Sequence, residues 1–139
     1  AVLLGSSAQL HRNTFVGNIA VGFDAGGGAV FIDGISGDDP SLFNCTFTNN
    51  VAMNAAGGAI WLGASAHLNG NMFVGNTAQG PITGGGAVFV DTGINRDSTS
   101  LSDCTFSNNM AVNAGGAVVL ASAAHLDRNT FVGNTAQGP

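Results

Sequence analysis

The feature that most constrains this chain is its self-similarity. Residues 1–18, 59–76 and 117–134 read AVLLGSSAQLHRNTFVGN, AIWLGASAHLNGNMFVGN and AVVLASAAHLDRNTFVGN, a period of 58 residues. The nine residues FVGNTAQGP recur unchanged at 73–81 and 131–139. One insertion near Asn95 is cancelled by one deletion after Asn113, so the register is restored. Repetition at a fixed period is the signature of a repeat architecture.

Each unit divides again. A Gly-Gly-Ala phrase stands at 27–29, 57–59, 85–87 and 115–117, spaced 30, 28 and 30 residues apart. A second phrase recurs once per half-unit as LHRNTFVGN, LFNCTFTNN, LNGNMFVGN, LSDCTFSNN and LDRNTFVGN. The structural unit is therefore a coil of 28 or 30 residues, present about five times. The chain reads as one domain of repeats at 1–58, 59–116 and a partial 117–139, a window of a longer repetitive polypeptide.

The runs AVLL, AVFI, AIWL, AVFV and AVVL place Val or Ile second and Leu, Ile or Val fourth. This period of two, with β-branched residues, is a strand signal. Gly, Asn and Ser turns separate further short strands that hold the Leu and Phe of the second phrase. No long apolar stripe of helical period occurs, and 22 glycines would weaken helix interiors. A lone coil cannot bury enough apolar surface to offset its ordering, so the coils must stack as a β-solenoid. A leucine-rich repeat is the alternative fold, because L-x-x-N-x-F-x-x-N parallels its consensus. The Gly-Gly-Ala strand disfavours it, standing where that fold puts a helix.

In the stack, Phe15, Phe47, Phe73, Phe106 and Phe131 form a core column. Asn18, Asn50, Asn76, Asn109 and Asn134 fall at one corner of successive coils, where side-chain amides can bond one coil away. Asparagine also tolerates the left-handed backbone of a sharp corner. Gly pairs suit a second corner, where backbones approach closely. Cys45 and Cys104 hold the position of Asn13, Asn71 and Asn129 in alternate coils. Two coils apart is about 10 Å, beyond the roughly 7 Å a disulfide spans, so free buried thiols are expected.

The GGA(V/I) and FxxN phrases, alternating in register along the whole chain, resemble the repeat of the chlamydial polymorphic outer-membrane proteins. That resemblance implies an all-β, right-handed parallel β-helix and a surface-exposed adhesin carried by an autotransporter.

Candidate sites follow from the same alignment. Leu3, Phe31, Trp61, Phe89 and Val119 occupy the third strand position and should point outward as an apolar interface ladder. Asp33, Asp38, Asp39, Asp91 and Asp97 lie in the two longer connections, and solvated turns are preferred over calcium ligands there. His67 and His125 are equivalent, two coils apart and without metal-ligand spacing; His11 stands outside their column. Thr14, Thr46, Thr105 and Thr130 align, but Met72 interrupts the column, which disfavours an ice-binding face.

Composition narrows the function. Eight Asp, three Arg (Arg12, Arg96, Arg128) and a net charge of −5 argue against nucleic-acid binding. No apolar run reaches membrane-spanning length. A catalytic cluster should interrupt the repeat at one coil, and none does, so neither enzyme activity nor cofactor nor metal is expected. The leading expectation is an extracellular structural fibre or adhesin stalk, associating with itself, with neighbouring repeats or with a cell-surface ligand. A polysaccharide-binding or polysaccharide-cleaving β-helix is the alternative.

Overall fold

The computed structural model describes residues 2–4, 8–22, 26–33, 39–81, 84–91 and 99–138. Asp38 and Asp97 of the longer connections lie outside the described residues. Strands of two or three residues assemble into four parallel sheets of five strands each, one strand per coil. One coil shows the plan: Ile60–Leu62, His67–Asn69, Met72–Val74 and Thr77–Ala78 contribute to the first, second, third and fourth sheets in turn.

The register follows the sequence alignment. In the first sheet Val30 pairs with Ile60 and Ile60 with Val88, so β-branched residues stack on one another. Leu42, Leu68 and Leu101 align in the second sheet, Phe47, Phe73 and Phe106 in the third, and Ala52, Ala78 and Ala111 in the fourth. All nine are buried. Period-two alternation sends their neighbours outward.

The size gradient around the coil has a cause. Alanines line the fourth sheet because the Gly-Gly-Ala corner lies directly against it. A Cβ on Gly58 would stand 1.8 Å from the Gly86 carbonyl oxygen and 2.8 Å from the backbone of Thr77. Gly28 and Gly86 meet Val51 and Met110 in the same way. Only a chain without side-chain atoms passes there.

The outward ladder expected of Leu3, Phe31, Trp61, Phe89 and Val119 needs correction. The five residues do pair in register along the first sheet, and none belongs to the main core cluster. Yet only Leu3 is freely exposed, at 68%, whereas Trp61 and Phe89 are each 8% exposed. Phe31 and Val119 are half-buried. For Trp61 the reason is that the indole lies down over its neighbours instead of standing out. Phe31 and Trp61 stack at 4.5 Å, and the indole covers Gly63, where a Cβ would come within 2.4 Å of two ring carbons.

Candidate functional site: side-chain ladders and outer faces

The asparagine column is a continuous hydrogen-bonded wire. The backbone N–H and Nδ2 of Asn50 donate to Asn76 Oδ1 at 3.0 and 2.9 Å. The same two groups of Asn76 donate to Asn109 Oδ1, both at 2.9 Å. Asn18 and Asn109 repeat the pattern toward Asn50 and Asn134. Each Nδ2 also reaches back to a phenylalanine carbonyl one coil earlier: Asn50 to Phe15, Asn76 to Phe47, Asn109 to Phe73 and Asn134 to Phe106, at 3.0–3.1 Å. A carboxamide has two donor hydrogens and an oxygen that accepts twice. In the interior of the stack these ladder bonds use all four, and Asn50, Asn76 and Asn109 are fully buried.

The phenylalanines beside the wire stack face over face. Centroids of Phe15, Phe47, Phe73, Phe106 and Phe131 succeed one another at 4.8–4.9 Å with ring planes within 7° of parallel. That spacing matches the strand separation and falls within the range of favourable parallel ring stacking. The rings are buried at the centre of the stack, and Phe131 is 47% exposed.

A second, mixed ladder contains the thiols. Cys45 and Cys104 are free and buried, with Asn71 between them in the column. The N–H of Cys45 donates to Asn71 Oδ1 at 2.8 Å, and that of Cys104 to Asn129 Oδ1 at 2.9 Å. Asn71 and Asn129 donate back to the carbonyls of Leu42 and Leu101 at 2.8 and 2.7 Å. The thiols direct their weaker S–H toward the matching carbonyls of Leu10 and Leu68 at 3.5 Å. Burial pushes the Cys104 thiol above its ordinary pKa, more than the hydrogen bonds from Asn71 lower it.

The left-handed corner residue is not the ladder asparagine, contrary to the expectation from sequence. It is the residue before it: Gly17, Asn49, Gly75, Asn108 and Gly133 have φ between 53° and 63°. A second such column, Arg12, Asn44, Gly70, Asp103 and Arg128, precedes the mixed ladder. The alternating GN and NN pairs ahead of the fourth sheet were the visible signal. Within the second column, Arg128 Nε and Nη2 grip the two carboxylate oxygens of Asp103 at 2.8 Å each. Arg128 also contacts Asp127. The guanidinium holds the Asp103 carboxyl below its ordinary value, chiefly by hydrogen bonding.

Charge is segregated around the coil. From each mixed-ladder position to the end of the fourth sheet, the described residues contain no Asp, Arg or His. The outer surfaces of the third and fourth sheets carry Thr, Ser, Val, Ile and Met instead, among them Val16, Ile19 and Val132 at 57–60% exposure. The Thr14, Thr46, Met72, Thr105, Thr130 column lies in register on the third sheet. All three histidines lie on the second sheet. His67 and His125 flank Ser100 in one column, and His67 Nδ1 is 2.9 Å from Ser100 Oγ. His67 Nε2 is 3.9 Å from Asp39. His11, in the neighbouring column, stacks on Phe43 at 5.3 Å. Among the described residues no three His, Cys, Asp or Glu gather as a metal site, and no helix is long and apolar enough to cross a membrane.

A family model, the Chlamydia polymorphic membrane protein (Chlamydia_PMP) repeat, matches residues 44–63 and 103–120, somewhat over a quarter of the chain. Each match runs from just before a cysteine, through Phe-x-Asn-Asn, to the Gly-Gly-Ala strand, so both fall on coils with an Asn corner. Comparison with curated proteins and with solved structures gave no match. The chain is thus a parallel β-solenoid that carries repeats of the Chlamydia polymorphic membrane protein type.

Proposed function

We propose that this chain is a load-bearing segment of a surface-exposed, extracellular repeat protein, a β-solenoid fibre or the stalk of an adhesin. The observation that carries the reading is the unbroken asparagine wire, which joins each coil to the next through hydrogen bonds that are fully buried in the middle of the stack. Load applied along such a stack is shared by sheet bonds and ladder bonds in every layer. The match to a repeat named for membrane proteins supports the surface setting. In this reading the chain is not an enzyme, and its contacts are with neighbouring repeats, further copies or a cell-surface ligand. Electron microscopy of the native material should show thin, straight projections, and protease shaving of intact cells should release them. Isolation only from the cell interior would defeat the proposal.

A polysaccharide-binding role is the second reading, favoured by one observation. Phe43, 40% exposed and stacked with His11, gives the second sheet an aromatic platform beside Asn, Ser and His side chains. Retention on immobilised neutral polysaccharide, lost in Phe43→Ser, would support it.

A further inference from the structure

The corner before the asparagine wire alternates Gly17, Asn49, Gly75, Asn108, Gly133. Backbone preference does not explain this, because asparagine visits the left-handed region readily and could occupy every coil. The explanation lies one coil away. A Cβ placed on Gly75 would stand 2.5 Å from Asn49 Oδ1, and one on Gly133 would stand 2.5 Å from Asn108 Oδ1. In the other left-handed column, a Cβ on Gly70 would stand 2.4 Å from Asn44 Oδ1. Each corner asparagine therefore folds over the corner of the coil that follows it and fills the volume of a side chain there. Gly17, in the first coil of the stack and so with no coil before it, has the same φ of +63° and nothing within 4 Å of its Cβ position.

We propose that these corners form a directional lock. A coil with an Asn corner seats a Gly-cornered coil as its successor, whereas a side chain in that place forces the overlying amide aside. An Asn-cornered coil therefore does not stack undisturbed on itself, and the smallest repeating unit that contains one is two coils. The order of corners along the 58-residue period, each Asn followed by Gly, is the order this contact favours. One junction departs from the rule and supports it. Where the following residue is Arg128 instead of glycine, the preceding corner is Asp103 instead of asparagine, and the two make a bidentate ion pair. The lock concerns coil order alone and stands whether or not the protein is a surface stalk.

The test is a double-mutant cycle in the intact chain, read by urea and thermal unfolding. Gly75→Ala and Gly17→Ala impose the same left-handed strain, but only the first meets an overlying Oδ1. Gly75→Ala should raise the unfolding equilibrium constant clearly more than Gly17→Ala. In an Asn49→Gly background the effect of Gly75→Ala should shrink by about tenfold, within the range known for contacting residues. Should Gly75→Ala abolish cooperative unfolding, recovery of a cooperative transition in Asn49→Gly/Gly75→Ala supports the lock. Equal effects of Gly75→Ala in both backgrounds, or a double variant that fails to fold like the single one, overturn it.

Discussion

Asn76 Nδ2 lies 3.0 Å from the Phe47 carbonyl and 2.9 Å from Asn109 Oδ1, so one carboxamide ties the coil before it to the coil after it. Its oxygen takes two further bonds from Asn50. Removing such a group strands partners on both sides, which makes the wire cooperative across layers.

Asn76→Leu keeps the approximate volume and leaves the Asn50 N–H, the Asn50 amide and the Phe47 carbonyl without that partner. At about 1–3 kcal/mol for each of these three buried groups left unpaired, the loss should be roughly 3–9 kcal/mol. Urea unfolding measures it. A loss below about 1 kcal/mol would show that the wire contributes little.

Gly58→Ala should prevent native folding, since its Cβ would sit 1.8 Å from backbone oxygen that cannot move without breaking the sheet. Gly22→Ala, with nothing within 4 Å, should change stability by no more than about 0.5 kcal/mol. Circular dichroism of the pair separates close backbone approach from a general intolerance of alanine.

Cys104→Asn should be tolerated or stabilising. At the equivalent, equally buried position the Asn71 amide makes a 2.8 Å bond to Leu42, where the weaker Cys104 thiol lies 3.5 Å from the Leu68 carbonyl and 3.3 Å from that of Ser102. The thiol also predicts a pH effect. Its raised pKa means that the native state holds the proton more tightly than the unfolded chain. The associated stability is complete below the ordinary thiol value near 9 and is lost as pH rises through the native value. Wild-type melting temperature should therefore fall more steeply than that of Cys104→Asn on the alkaline side, as calorimetry would show.

The Asp103–Arg128 pair works in the opposite direction. A depressed carboxyl pKa contributes stability above the ordinary carboxylate range and loses it as pH falls through the native value. Arg128→Gln should accordingly melt below wild type at neutral pH and converge with it in acid. The pair is solvent-exposed, so added salt should also narrow the difference. A gap that persists at low pH would assign the effect to the left-handed corner instead.

Much of the architecture is legible in the linear order of residues. Superposing Phe15 on Phe73 and Phe131 by the 58-residue period placed them in one column, and the rings stack in that column. The alternation of Cys45 and Cys104 with asparagines likewise implied thiols kept apart, and they are free and buried. These inferences succeed because a solenoid maps sequence period directly onto spatial neighbours. Trp61 and Phe89 show where that mapping ends. Period two says that a side chain leaves the core, and says nothing about whether it then stands in water or lies down over a neighbouring glycine.

The amino-acid order alone determined the period, the strands and which residues would meet across coils, because hydrogen bonding at one strand spacing carries every column straight up the stack. Tertiary structure decided what repetition leaves open. It placed the left-handed turn on Gly75 rather than Asn76, and folded the Trp61 indole onto Gly63. It also brought the Asn49 amide over the corner of the next coil. Each of these depends on how a side chain turns once its neighbours are in place, and that is a matter of packed volume, which periodicity does not encode.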